Sequence, residues 1–190
     1  AEGVMCCDIT SVASASKDLD AAKHVQKLFM NDDFRVYTNN DILGVELGAA
    51  VKNVIAIGAG ILDGLGYGDN AIAALITRGM VEIKRFGAAL GADPETFDGL
   101  SGIGDLIVTC QSEHSRNRRA GKLLGQGVPA SELSDRVGMI IEGVFTVKAT
   151  YEFAQELDVE MPITESIYRV IYEDADPREE ILTLMKQFMM

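Results

Sequence analysis

Lys52 and Asn53 are the only polar residues in a run, 47–62 (LGAAVKNVIAIGAGIL), whose other fourteen members are apolar or glycine. Burial disfavours a charged ammonium. A lysine in such a run therefore either snorkels to the surface or sits where it gives up its proton readily. In the second case it is a general base, with Asn53 beside it holding a substrate oxygen. In the first it is a solvated helix residue, and Asn53 packs or caps. The spacing alone leaves both readings open.

Gly102, Gly104 and Asp105 form a second constellation. Two glycines ahead of an aspartate let the backbone approach a ligand closely, and the carboxylate could orient Lys52 or a substrate hydroxyl. Thr109 shares a face with Asp105 if the segment is helical. The plainer reading makes Asp105 a helix cap. The third constellation is Ser115-Arg116-Asn117-Arg118-Arg119, the densest positive cluster in a chain of net charge −12. Ser and Asn at a helix start, with free N–H groups and forked guanidinium donors, make an anion site suited to phosphate. The competing reading is a solvated face paired with some of the 29 acidic residues. Glu142 opens a later helix after Ile140 and Ile141, where its carboxylate complements the helix dipole or touches a ribose hydroxyl. Arg78 reads as a structural ion-pair residue. No His or Cys has metal-ligand spacing, so no metal is expected.

These residues need elements to position them. Residues 4–13 are rich in β-branched and small apolar types and read as a strand. Ser16 is placed to cap a helix over 17–30, and 34–37 reads as a second strand, giving a β-α-β unit. Two strands do not make a stable sheet of that kind, so they are expected to be the tail of a larger one. From Asp41 onward the pattern is helix punctuated by glycine. Helices are expected over 41–62, 70–90, 94–97, 115–125, 142–157, 162–172 and 177–188, with Pro94, Pro162 and Pro177 at first-turn positions. The stretch SGIGDLIVTC reads as a Gly-rich turn leading into an apolar segment.

Composition sets the outer limits. The chain is 190 residues long and 47% hydrophobic, enough for a sizeable core. Its charge argues against nucleic acid or an anionic membrane as partner. The longest apolar run is interrupted by Lys52 and is short for a bilayer span, so no membrane insertion is expected. Cys6, Cys7 and Cys110 are expected to be buried apolar residues, and their odd number fits a reducing cytoplasm. The chain starts at Ala1 close to a strand-like segment and reads as a piece of a longer protein.

Taken together, GVELGAAVKNVIAIGAGILDGLGYGDNAIAALITRG, LSGIGDLIVTCQSEHSRNRRAGKLLGQG, IIEG and VEMPITESIY resemble the C-terminal part of the bacterial NAD(P)-dependent sn-glycerol-3-phosphate dehydrogenases. The likeness covers nearly the whole chain, and several long motifs in order are far more specific than one short signature. It implies a mainly α fold: an all-helical substrate domain over 41–190, preceded over 1–40 by the strand-helix-strand remnant of a Rossmann-type sheet. It implies interconversion of sn-glycerol 3-phosphate and dihydroxyacetone phosphate with NAD or NADP, supplying phospholipid synthesis. Lys52 would be the catalytic lysine. Asn53, Asp105, Thr109, Ser115, Arg116 and Asn117 would bind substrate, with the Ser-Arg-Asn triplet on the phosphate. Arg116, Ile140 and Glu142 would touch the cofactor, and a homodimer is an expectation by analogy.

No GxGxxG follows a strand in this chain, and Gly102-x-Gly104 lies in the wrong context. The main cofactor motif is therefore absent, and the chain alone is expected to be inactive. Two other readings compete. One is a related two-domain dehydrogenase acting on a hydroxy acid or sugar phosphate. The other is a non-catalytic helical binding or dimerisation module that uses the Lys52 helix as its interface.

Overall fold

The computed structural model describes residues 2–187. A single turn, α1 (Glu2–Met5), precedes β1 (Thr10–Ala15), α2 (Leu19–Phe29) and β2 (Phe34–Asn39). The two strands pair in parallel from Thr10 opposite Phe34 to Ala15 opposite Asn39. Among the described residues of this unit only Ala22 and Val36 are fully buried, while Leu28 and Phe29 stay exposed.

The expected strand over 4–13 is thus partly wrong. Pairing begins at Thr10, where β2 supplies partners, and the chain before it turns through Cys7 at φ +58°. Cys6 and Cys7 are exposed rather than buried. Ser16 does not cap α2. Its Oγ accepts from the Asp18 N–H, and Asp18 itself is the cap, accepting from the Asp20 N–H.

The helical part is built around α3 (Ile42–Gly64). Asp41 caps it, accepting from the Gly44 N–H at 2.9 Å, as its side-chain type predicts. The Asp41 carboxylate also accepts from the Asp93 N–H, which fixes a later loop to the start of α3. Residues Val54 to Leu62 of α3 are buried without a break. By length and hydropathy α3 would suit a membrane span, contrary to the expectation of too short an apolar run. Here its middle is enclosed by α4 (Asp69–Ala89), α5 (Asp105–Gln111), α6 (Arg116–Gly125), α8 (Glu142–Glu156) and α9 (Pro162–Tyr172). A short α7 (Leu133–Val137) and the 3-10 turn before it went unforeseen, and α10 (Pro177–Gln187) closes the described chain. The expected end of that helix at 188 and the terminal methionines lie outside the described residues.

The α3–α6 contact sets the geometry of the rest. A Cβ added at Gly60 would lie 2.0 Å from the Arg118 carbonyl oxygen, and one at Gly121 would lie 1.9 Å from that of Ile57. Any side chain at either position would push the helices apart. The two backbones touch, and the first turn of α6 is thereby held against the middle of α3.

The Gly-rich segment before α5 is not a loose turn. Residues Leu100–Gly104 form a π-turn that runs directly into α5. Gly102 packs against the backbone of Phe97, a close contact within the chain that leaves no room for a Cβ. Such turns recur where a helix must be re-aimed. This one delivers Asp105 as the first residue of α5.

Candidate active site

Lys52 leaves the apolar run sideways from α3. Its side chain is 19% exposed, and its Nζ bonds to Asp105 Oδ2. Asp105 is not the cap of α5 but its first helical residue, a position where a carboxylate also meets the positive end of the helix dipole. Thr109, one turn on, donates to the Asp105 backbone oxygen at 2.7 Å, with the Asp105 carboxylate 3.5 Å away. Cys110 beside it is buried, and burial pushes its thiol up to about 12, which makes it inert.

Asn53 meets a second chain of contacts. Its Oδ1 accepts from Asn117 Nδ2 at 2.8 Å, and Asn117 Oδ1 accepts from the Gly143 N–H at 2.8 Å. Three helices, α3, α6 and α8, are tied by two amide side chains. Ser115 caps α6, its Oγ accepting from the Arg118 N–H at 3.3 Å, which leaves the hydroxyl proton available. The first-turn N–H groups of Arg116 and Asn117 have no intrahelical acceptor. Arg116 reaches back to α8, donating to the Ile140 carbonyl at 3.1 Å and to Glu142 Oε1 at 3.4 Å.

The site candidates on α3, α5, α6 and the start of α8 thus form three bonded groups that adjoin along the chain. They are Thr109–Asp105–Lys52, then Asn53–Asn117 on the next position of α3, then Arg116 with Glu142 and Ile140. Ile140 is 69% exposed beside the Arg116–Glu142 pair. Among the described residues no group of three or more His, Cys, Asp and Glu is placed to hold a metal.

Of the basic cluster, Arg118 is set apart: it pairs with Asp63 at 2.9 Å on α3. Arg78 lies elsewhere, lining a surface cavity of about 570 Å³ with Arg85, Tyr151 and Glu165, away from these groups. Two residues went unnoticed in the sequence. Asp63 is one. Glu82 is the other, a buried carboxylate of α4 that accepts from the Ile163 and Thr164 N–H groups at 2.6 and 3.2 Å. The signal for Glu82 was a charged residue on an apolar helix face, together with a helix at 162 that has no polar cap before it.

The fold resembles the corresponding part of known dehydrogenases. It superposes on the glycerol-3-phosphate dehydrogenase of Coxiella burnetii with a TM-score of 0.92 at 42% identity, covering 96% of this chain and 56% of that one. The Saccharomyces cerevisiae enzyme gives 0.83 at 28%, over 94% and 55%. Glycerol-3-phosphate dehydrogenases [NAD(P)+] of Lacticaseibacillus casei and Pediococcus pentosaceus are 61% and 63% identical, over 98% and 97% of this chain. The chain spans about half the length of these relatives, 53% and 55%. Residues 41–182 match the family described as NAD-dependent glycerol-3-phosphate dehydrogenase C-terminus, and the chain belongs to that family.

Proposed function

We propose that this chain is the substrate-binding and catalytic part of an NAD(P)-dependent enzyme interconverting sn-glycerol 3-phosphate and dihydroxyacetone phosphate in the cytoplasm. Residues 1–40 would close a nucleotide-binding sheet, and 41–190 would form the substrate domain. The observation that carries this reading is the placing of three bonded pairs, Lys52–Asp105, Asn53–Asn117 and Arg116–Glu142, on adjacent positions of α3 and α6.

The phosphate is held at the start of α6 by the Ser115 hydroxyl, the Arg116 guanidinium and the N–H groups of Arg116 and Asn117. That anchor sets C2 of the substrate near Lys52. Lys52 takes the C2 hydroxyl proton in one direction and returns it to the ketone oxygen in the other. Its Nζ, bonded to Asp105, is placed to act on that oxygen in either direction. Asp105 holds the amine in place, with Thr109 beside it. Ile140, Glu142 and Arg116 would border the cofactor, whose nicotinamide when bound supplies or accepts the hydride. The supply of glycerol 3-phosphate for phospholipids is the accompanying role.

The reading is tested by assaying the full-length protein for reduction of dihydroxyacetone phosphate with NADH and with NADPH, beside a panel of hydroxy acids and other sugar phosphates. Turnover of the three-carbon phosphate alone supports it. Preference for another substrate would refute it.

A further inference from the structure

Asn117 is 7% exposed, and the polarity of its amide is fixed from outside. The Gly143 N–H can only donate, so the atom it meets at 2.8 Å is Asn117 Oδ1. Asn117 Nδ2 must then face the other way, where it donates to Asn53 Oδ1. That contact uses the Asn53 carbonyl and turns the Asn53 Nδ2 outward from the pair. Nδ2 makes one long bond, 3.3 Å, to the Ala49 carbonyl. One of its two N–H groups suffices for that bond.

We propose that Asn117 is a positioning residue and that its side chain is not a phosphate ligand. It transmits the polarity of a backbone N–H at the start of α8 to Asn53, so that the neighbour of Lys52 offers substrate an N–H and never a carbonyl oxygen. The proposal rests on the dehydrogenase reading above. An N–H is the group that stabilises the oxygen of a ketone as negative charge gathers on it. The same amide keeps α8, and with it Glu142, in register with α3. Gly143 is required for this, because a Cβ there would lie 2.6 Å from Asn117 Oδ1 and 3.0 Å from the Asn53 backbone oxygen.

The test uses Asn117→Leu and Asn117→Asp in the full-length protein, with steady-state kinetics and calorimetry against glycerol 3-phosphate and inorganic phosphate. Asn117→Leu removes both bonds. It is expected to lower kcat by about a hundredfold, with Kd for either phosphate ligand within about twofold of the parent. Ionised Asn117→Asp still accepts from Gly143 but cannot donate, so Asn53 must turn over and present its oxygen. At pH 8, where the new carboxyl is ionised, kcat of Asn117→Asp at saturating substrate should therefore fall at least tenfold below the parent. A tenfold rise in Kd with kcat intact in Asn117→Leu, or parental kcat at pH 8 in Asn117→Asp, would overturn the proposal. A parent protein inactive on both three-carbon phosphates would instead sink the dehydrogenase reading, and this proposal with it.

Discussion

Arg118 of α6 holds Asp63 of α3 at 2.9 Å, and Lys122 reaches the same carboxylate oxygen at 3.2 Å. The pair sits at the end of the α3–α6 contact and takes Arg118 out of the anion site proposed for its neighbours. Arg116→Ala and Arg118→Ala should therefore behave differently. Arg116→Ala is expected to raise KM for the phosphorylated substrate at least tenfold with little change in Tm. Arg118→Ala is expected to leave KM within about twofold and to cost about 1–3 kcal/mol of stability, by removing the stronger partner of a largely buried carboxylate. Kinetics and thermal melts on the two variants decide the matter, and equal KM effects would argue against the division.

Lys52 projects out of the core, so its removal should spare the fold. Lys52→Ala in the full-length protein is expected to lower kcat by roughly 10²–10⁴-fold, the usual worth of a placed acid-base group. Its Tm should stay within a few degrees of the parent. Asp105→Asn, which keeps the shape and removes the charge facing Lys52, should lower kcat by less. Near-parental turnover in Lys52→Ala would remove the lysine from the chemistry.

The glycine contact between α3 and α6 can be probed directly. Gly121→Ala places a methyl against the Ile57 carbonyl, and separating the helices should cost about 1–3 kcal/mol. Because α6 carries Ser115, Arg116 and Asn117, the affinity for glycerol 3-phosphate should weaken together with Tm. Gly68→Ala, where a Cβ meets nothing within 4 Å, is the control. Loss of stability without loss of affinity would show that the phosphate groups do not depend on this contact.

Glu82 makes stability depend on pH. Burial raises its carboxyl from 4.5 to about 7, and the hydrogen bonds from Ile163 and Thr164 only partly oppose this. A carboxyl raised on folding favours the folded state fully below its unfolded pKa and loses that contribution as pH rises through the folded one. Stability should therefore fall between pH 5 and 8, by on the order of 3 kcal/mol from this group. Glu82→Gln should flatten that slope. Glu82→Ala should destabilise at every pH by about 2–4 kcal/mol, since two buried N–H groups lose their acceptor. Melts across the range check both. Asp41 acts in the opposite sense. Burial works to raise its carboxyl, but hydrogen bonds from Gly44, Thr96 and Asp93 outweigh it and hold the group low, so its contribution is lost only in acid.

The features legible in the sequence are those with a local cause. Asp41 and Ser115 announce their helices because a cap acts within three residues, and Pro94, Pro162 and Pro177 mark helix starts for the same reason. Lys52 and Asn53 stood out because their surroundings in the chain are apolar. The partners did not stand out. Asn117 lies 64 residues from Asn53, and Glu82 lies 81 from Ile163, so no window of sequence contains both. Residues 4–9 failed as a strand for a related reason: composition favoured extension, but pairing begins only where β2 has residues to offer.

The helices α8 and α9 begin at Ile141 and Met161, which have no side-chain acceptor to give. Asn117 and Glu82 supply it from α6 and α4 instead. A first helical turn is the costly step in helix formation, and here its stabilising bond exists only after a distant segment has arrived. Peptides spanning 142–156 or 162–172 alone should accordingly stay coil, and in the whole chain these helices should nucleate late, on a platform already assembled around α3. Glu142 is then fixed in space by the last stage of folding, so partly folded chains would hold Lys52 and Asp105 together before they hold the rim that completes the site.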